Sequence, residues 1–214
     1  IFELRRRHID ILLPCVNHST GRYLAEGSAL RFPLSAIKGV GPAVYPQIIA
    51  EREENGDYQD PYDFVARASL RKINRKALEA LINAGALDTF GYNRATLLGA
   101  LDNLLLYANI VRVENEEEIR LDFSIASKIP ITRLAERSSV RAEKEKEAFG
   151  FYLSAHPIAE VRNAIDPSMP YLLKLQHYRG QARFVCLISF TKLHRTKRGD
   201  QMMLFLNRRG YAGF

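Results

Sequence analysis

The sequence predicts a mainly α-helical fold with small β parts. Apolar residues recur at helical spacing through residues 34–108. Short alternating stretches precede this region within residues 8–32, and two short apolar stretches joined by a polar turn lie within residues 184–206. We therefore expect helices to form the core and short strands to lie near both ends of the chain.

Length and composition fit a globular protein with a real hydrophobic core. The 214 residues suffice for one large domain or two to three small ones, and 47% of them are apolar and 26% charged. The chain lacks a run of eighteen apolar residues, so no membrane span is expected. Cys15 and Cys186 lie far apart in apolar contexts, which indicates free thiols of a cytoplasmic protein. Because Ile1 stands in place of an initiator Met and no signal core follows, we expect a truncated chain.

The net charge points to a polyanionic partner. Lys and Arg number 31 against 24 Asp and Glu, which gives a net charge of +7 and a pI near 9.5. Acidic residues concentrate at Glu114 and Glu116–Glu118. The basic residues cluster at Arg5–Arg7, at Arg71–Lys72 with Arg75–Lys76, and at Lys192–Arg198.

The first elements are predicted to be strands. Ile9, Ile11 and Leu13 fall at alternate positions, and Pro14 ends the run. The stretch Tyr23–Phe32 then predicts a hairpin that turns at Glu26-Gly27-Ser28.

Helices follow through residues 34–108. Leu78, Leu81 and Ile82 share one helical face, with Asn74 as a predicted N-cap and Gly85 as the stop. A second apolar stripe begins after Asn93, and it comprises Leu97, Leu98, Leu101, Leu104 and Leu105.

The last third of the chain is predicted to be more varied. Residues 109–138 lose periodicity and gain charge, so a linker or surface loop is expected there. Ala142–Phe149 predicts a charged helix. Phe184–Phe190 and Met202–Leu206 predict two strands joined by a hairpin tip at Thr196–Asp200.

The sharpest local motif is Lys38-Gly39-Val40-Gly41. A short predicted helix ends in Gly-Val-Gly and a second helix follows, which is the pattern of a helix-hairpin-helix. Glycines permit a tight turn whose backbone N–H groups can reach a phosphate, and the next helix presents its positive end there. Such contacts hold DNA without reading its sequence. An ordinary helix–helix turn remains the alternative. Pro46 implies that the second helix starts late or kinks.

A weaker second copy follows the first. Residues 78–84 predict a helix, residues 85–91 a connection flanked by glycines, and residues 94–105 another helix. Because helix-hairpin-helix units often come in pairs, the second copy favours the DNA-binding interpretation of the first.

Several stretches in this order resemble the alpha subunit of bacterial DNA polymerase III, a C-family replicative polymerase. The likeness covers about residues 5–206 and depends on the ordered set more than on any one string. The matching stretches are Ile11–Asn17, Leu30–Gly41, Asp63-Phe64, Asn74–Lys76, Leu81–Asp88, Phe149–Pro157 and Arg195–Asp200.

The resemblance implies a tandem helix-hairpin-helix domain followed by an incomplete OB-fold hairpin. It implies that residues 34–54 and 78–105 contact duplex DNA behind the active site. It also implies that Ala182–Leu206 is the first hairpin of an OB-fold, a small barrel that binds single strands. The implied divisions are 1–33 (end of a fingers-type region with a β hairpin), 34–108 (tandem helix-hairpin-helix), 109–140 (linker), 141–180 (helix and connector), 181–206 (first OB strands) and 207–214 (an atypical tail). The DNA-contacting residues expected on this basis are Lys38, Gly39, Val40, Gly41, Arg75, Lys76, Arg94, Lys192, Arg195, Lys197 and Arg198.

Three departures from the family pattern stand out. Cys15 replaces a common Asp, Pro33 replaces a common Gly, and residues 207–214 do not resemble the next strand. An OB-fold needs about five strands, so a barrel cannot close with two. Without the family context, a solvated basic loop is the alternative interpretation of Lys192–Arg198.

Catalysis is expected to lie outside these residues. In the family, a close Asp-x-Asp pair and a further Asp in the palm position two metal ions, and this chain has no Asp-x-Asp. We therefore predict no cofactor and no metal site here, Mg²⁺ only in the parent DNA-directed polymerase, and no activity of this segment alone. The five histidines lack metal-ligand spacing, and His156 is expected to be structural.

A candidate sliding-clamp peptide lies in the predicted linker. Family members bind the clamp through a Gln followed by apolar and aromatic residues, and Glu118, Leu121 and Phe123 occupy that pattern with Glu in place of Gln. The alternative is that Leu121 and Phe123 pack on their own domain.

The preferred hypothesis is a DNA-binding segment of a replicative polymerase that holds template-primer DNA. Repair nucleases and ligases also carry tandem helix-hairpin-helix units, so a part of such an enzyme is one alternative. A structural assembly module without DNA affinity is the other.

Overall fold

The computed structural model describes residues 4, 7–115, 118–153, 157–170, 179–181, 183–186, 188–195 and 201–207. The chain divides into two compact units, Ile1–Ser154 and Ala155–Phe214. The fold is mainly α-helical with small β parts, as the sequence predicts. Within the described ranges, none of the helices has both the length and the apolar character that crossing a bilayer requires.

A small three-stranded sheet opens the first unit. Strands β1 (Asp10–Leu12) and β2 (Leu24–Glu26) flank β3 (Ala29–Arg31). The hairpin of β2 and β3 is antiparallel and turns at Gly27, whose φ is +59°. This confirms the predicted hairpin. The parallel pairing of β1 with β3 was not predicted, because it joins residues 19 positions apart.

Within the described residues, five α-helices follow this sheet in the first unit. They are α1 (Tyr45–Asn55), α2 (Pro61–Leu70), α3 (Arg75–Asn83), α4 (Arg94–Ile110) and α5 (Ser138–Phe149). Asparagine side chains cap two of them: Asn74 Oδ1 accepts from Ala77 N at 2.9 Å, and Asn93 Oδ1 accepts from Thr96 N at 2.8 Å. Gly85 follows the end of α3 with φ +82°. The predicted cap at Asn74 and the predicted stop at Gly85 are therefore confirmed.

The core lies between these helices. Helices α2 and α4 pack along each other, and the rings of Tyr62 and Tyr107 meet edge-to-face at 4.9 Å. Burial of the apolar faces supplies most of the helical stability, since short helices are marginal on their own. The largest fully buried apolar side chains are Phe64, Leu34, Ile48, Leu78, Leu81, Ile82, Leu87, Leu97, Leu101, Leu104 and Val16.

The segment predicted as a linker is more ordered than expected. It contains a two-stranded hairpin of β4 (Arg112–Glu114) and β5 (Ile119–Leu121). Residues 122–137 then run without regular structure along the helices. Leu134 N donates to Thr96 Oγ1 at 2.8 Å, and Asn93 Nδ2 donates to the Leu134 carbonyl at 2.7 Å. Local periodicity could not reveal these contacts, because the partners lie about forty residues away in α4.

The second unit contains helix α6 (Pro157–Ile165) and an antiparallel hairpin of β6 (Ile188–Arg195) and β7 (Gln201–Asn207). The predicted first strand, 184–190, begins earlier than β6, whereas the predicted second strand coincides with β7. The predicted tip 196–200 and the tail 208–214 lie outside the described residues.

Candidate nucleic-acid interface

The Lys38–Gly41 turn lies at the surface of the first unit. A 3₁₀ turn over Leu34–Ala36 precedes it in place of the short α-helix that the sequence predicts. Gly39 has φ +89°, a conformation that side chains disfavour, and Val40 N donates to the Ile37 carbonyl at 3.0 Å. The Val40 side chain is fully buried. The buried Val40 side chain therefore fixes the turn to the core, and Gly39 lies on the exposed side of the turn.

Three backbone amides of this turn lack acceptors within the described part of the chain. They belong to Gly39, Gly41 and Ala43. The amides of Val44 and Tyr45 both donate to the Gly41 carbonyl, at 2.9 and 3.2 Å, and so start the next helix. Gly39 and Ala43 are exposed and Gly41 is half-buried, so an anion can approach all three from solvent.

Helix α1 begins at Tyr45, which resolves the difficulty that Pro46 poses. The proline lies in the first helical turn, where its missing N–H costs no helical hydrogen bond. The late start that the sequence predicts is thus confirmed. Because the positive end of the helix dipole lies at this terminus, it faces the same turn that carries the unpaired amides.

The two glycines of the turn have different roles. Gly39 needs its positive φ, whereas Gly41 has an ordinary φ and a Cβ added there would meet no atom within 4 Å. The expectation that both glycines are required by a tight turn is wrong for Gly41. Its lack of a side chain instead leaves the backbone open to solvent. Val40, expected to contact DNA, uses both its amide and its side chain to hold the turn.

Lys38 joins the turn to the end of α5. Its backbone N–H donates to the Ala148 carbonyl at 2.9 Å. Its Nζ lies 3.6 Å from the position that a Cβ on Gly150 would take, near the negative end of the α5 dipole. The side chain is exposed and pairs with no carboxylate among the described residues. It can therefore offer its charge to an anion at the turn.

The second predicted helix-hairpin-helix copy differs from the first in how far its turn is exposed. Helices α3 and α4 and their connection are present, but the turn at Gly85 is buried, and Ala86 O accepts from Val16 N at 3.0 Å. The backbone of Gly85 is therefore less open to solvent than that of Gly39. The connection between α3 and α4 is therefore a packing element rather than a copy of the exposed Lys38–Gly41 turn.

The structure also revises the DNA contacts predicted for the second helix-hairpin-helix copy. The Arg94 side chain is 3% exposed and pairs with Asp88 and Glu145, both at 3.1 Å, so its assignment to DNA binding is wrong. Arg75 is exposed, but it pairs with Glu79 at 2.9 Å and with Asp102. Of the cations predicted for this copy, Lys76 is the one that is both exposed and without a carboxylate partner among the described residues.

The basic β6–β7 hairpin, which lies in the unit Ala155–Phe214, is described only in part. Lys192 and Arg195 lie in β6, where they pair with Leu204 and Gln201 of β7. Lys197 and Arg198 fall outside the described residues.

The candidate clamp peptide is partly folded into the first unit. Leu121 ends β5 and packs against the core, and the β5 backbone is already paired with β4. Glu118 is exposed, and Phe123 is 42% exposed. The linker expected for this peptide is thus replaced in part by a hairpin, in which Leu121 packs inward while Ile119 and Arg120 stay exposed. Where the chain is described, no group of three or more His, Cys, Asp or Glu side chains could hold a metal ion.

Comparison with known proteins agrees with the turn geometry. A family model described as a helix-hairpin-helix motif matches residues 8–97. DNA polymerase III subunit alpha of Bacillus subtilis is 34% identical over 206 residues, which are 94% of this chain and 18% of that protein. The Chlamydia trachomatis subunit is 34% identical over 183 residues, with 80% and 14% covered. The Thermus aquaticus subunit is 35% identical over 159 residues, with 74% and 13% covered.

The similarity is continuous along nearly the whole chain, which spans about one fifth of the length of the curated relatives that it matches. A helix-hairpin-helix match at the Lys38–Gly41 turn accompanies it. The chain belongs to the family of bacterial DNA polymerase III alpha subunits, in which it corresponds to a segment that includes the helix-hairpin-helix region.

Proposed function

We propose that this chain holds DNA by its backbone phosphates at the Lys38–Gly41 turn. The observation that carries the proposal is the set of three amides, of Gly39, Gly41 and Ala43, which have no acceptor among the described residues and lie at an open turn. A phosphate oxygen is the natural acceptor for such a group, because it is small, anionic and accepts several N–H bonds.

Two charges strengthen binding at this turn. The N-terminus of α1 contributes a partial positive charge, and the Lys38 ammonium contributes a full one. Neither group reads a base edge, so duplex binding is independent of sequence. In the parent protein this contact would hold template-primer DNA during replication.

The relatives are named DNA polymerase III subunit alpha, and we extend that activity, DNA-directed DNA polymerisation, to the parent protein only. The carboxylates that bind Mg²⁺ are expected outside these residues, so the segment alone should bind DNA and not extend a primer.

The test is a salt titration of duplex binding to the 214-residue chain. Gly41→Val should weaken binding while keeping the fold, since a Cβ there would meet no atom within 4 Å and the added side chain would cover the open amide. Lys38→Ala should lower the slope of log affinity against log salt by about 0.9, the value for one phosphate contact. Lys128→Ala is the matched control, because this exposed lysine already pairs with Asp60.

Unchanged duplex affinity in both Gly41→Val and Lys38→Ala would refute the proposal. Binding that is absent or insensitive to salt would favour a structural assembly module. Duplex binding by the segment together with cleavage or sealing of nicked DNA would favour a nuclease or ligase.

Two further partners follow from the remaining basic and apolar groups. The β6–β7 hairpin, with Lys192, Arg195 and the adjoining Lys197 and Arg198, is proposed to bind single-stranded DNA, and Lys197→Ala should weaken single-strand binding alone. The exposed Phe123 is proposed to insert into a pocket of the sliding clamp. Phe123→Ala should then lower clamp affinity, whereas Ile125→Ala, a similarly exposed neighbour, should not.

A further inference from the structure

Two exposed aromatic rings pack against Phe32, in the segment that leads into the Lys38–Gly41 turn. Tyr23 is 56% exposed and Phe151 is 38% exposed. Both contact the buried ring of Phe32, Tyr23 edge-to-face at 5.0 Å and Phe151 at 6.1 Å. A shared buried neighbour holds the two rings in place while leaving part of each ring open to solvent.

The end of α5 explains why Phe151 is exposed. Phe149 points into the core, and Gly150, with φ +85°, turns the chain so that the next ring lies over the surface. Phe149 and Phe151 remain near-parallel, with an interplanar angle of 25° and centres 6.1 Å apart. Phe151 is therefore fixed against Phe149 as well as Phe32.

The same residues bring the rings next to the proposed phosphate contact. Lys38 Nζ lies near Gly150, the residue before Phe151, and Lys38 N donates to the Ala148 carbonyl. On the other side, Ser35 Oγ donates to the Gly21 carbonyl at 2.8 Å, and Leu34 N donates to the Thr20 carbonyl at 3.0 Å. These bonds join the Tyr23 loop to the segment that leads into the turn.

We propose that Tyr23 and Phe151 form a stacking platform for an unpaired nucleobase, whose phosphate binds at the Lys38–Gly41 turn. Open aromatic faces next to a cation and unpaired amides match the two parts of one nucleotide, a flat base and an anionic phosphate. A base pair inside a duplex has both faces covered by its neighbours, so the platform selects an unpaired base that can leave the stack. The inference rests on the proposed function, because it adds a base contact to that phosphate contact.

The experiment compares a blunt duplex with the same duplex extended by one unpaired nucleotide, both titrated with the 214-residue chain. The extended duplex should bind at least about fivefold more tightly, the lower end for one stacked base. Tyr23→Ala and Phe151→Ala should each reduce this gain and leave blunt-duplex affinity within about twofold. Phe151→Tyr should retain the gain because it keeps a ring, and Phe151→Leu should not.

Phe123→Ala is the matched control, since Phe123 is an exposed ring outside the platform. A photocrosslink tests direct contact between the rings and the unpaired base, which rings that only stabilise the fold would not make. With 5-iododeoxyuridine at the unpaired position, crosslinks should map to Tyr23 or Phe151, and placing it in the paired region should abolish them.

The results separate the two proposals. Equal affinity for both duplexes, or a gain that survives the Tyr23→Ala, Phe151→Ala double variant, overturns the platform while leaving the phosphate contact intact. If no duplex binds, the proposed function fails. The platform is then tested with a single-stranded 5-iododeoxyuridine probe. A crosslink to Tyr23 or Phe151 would support the platform, and the absence of any crosslink to them would refute it.

Discussion

Arg94 and Glu145 form a buried ion pair between α4 and α5, with 3.1 Å between Nη1 and Oε1. The carboxylate is fully buried and the guanidinium is 3% exposed, and Asp88 binds the same arginine at 3.1 Å. Because α5 also receives the Lys38 N–H at Ala148, this ion pair holds the helix that supports the Lys38–Gly41 turn.

Arg94→Met should lower the free energy of unfolding by up to about 3–5 kcal/mol, because it removes the nearest cation from the buried Glu145 carboxylate and leaves Arg141, at 3.8 Å, as a more distant partner. Arg75→Met is the matched control. Arg75 also occupies the first residue of a helix after a capping asparagine, but its ion pairs are exposed, so about 1 kcal/mol or less is expected. Urea denaturation measures both, and equal losses would contradict a special role for the buried pair.

The comparison of these two arginines shows what the sequence could predict. Asn74 and Asn93 each precede a helix with the same Asn-Arg pair, and capping depends only on residues within one turn. The caps and the stop at Gly85 were therefore predictable. The burial of Arg94 was not, because its partner Glu145 lies fifty-one positions later in the sequence.

The candidate site likewise has features that the local sequence predicts and features that only tertiary packing determines. The Gly-Val-Gly pattern predicts the turn, since positive φ is a local property of Gly39. The hydrogen bond from Lys38 to Ala148 and the position of Phe151 near Lys38 depend on how α5 packs, and no local pattern contains that information. Tertiary contacts also decide that Gly85 is buried while Gly39 is exposed.

Glu51 is predicted to make stability depend on acid pH. This carboxylate is 5% exposed. Burial is the largest influence and would raise its pKa, but hydrogen bonds from Arg71, Arg67 and Asn55 together hold the pKa of Glu51 below its ordinary value of 4.5. Because the folded pKa is lower than the unfolded one, ionised Glu51 stabilises the fold above about pH 4.5. That contribution is lost as pH falls through the folded pKa.

Glu51→Gln should therefore reduce stability at pH 7 and flatten the decline of stability below about pH 5. Urea midpoints measured from pH 7 to pH 3 test this. Glu54→Gln is the control, because Glu54 pairs with the same Arg71 but is 58% exposed, and its curve should follow that of the unchanged chain. A Glu51→Gln curve parallel to the unchanged one would contradict the prediction.

Lys72 is predicted to be a site of backbone strain. It follows the end of α2 with φ +59°, and its amide donates to the Ser69 carbonyl at 3.0 Å. A side chain in this conformation costs about 1 kcal/mol, and glycine avoids the cost. Lys72→Gly should thus be about 1 kcal/mol more stable than Lys72→Ala, measured by thermal or urea unfolding. Both variants remove the same charge, so equal stabilities would show that no strain is relieved.

Gly85→Ala should destabilise the chain more than Gly91→Ala. Both glycines have positive φ, +82° and +74°, so both variants share a conformational cost of about 1–2 kcal/mol. A Cβ on Gly91 would meet no atom within 4 Å, whereas a Cβ on Gly85 would lie 2.9 Å from both Arg94 Cζ and Asp88 Oδ2. The methyl group at residue 85 must displace the buried Arg94 ion pair, which adds about 1–3 kcal/mol. Urea denaturation of the two variants separates packing from backbone conformation, and equal losses would mean that Arg94 moves aside at no cost.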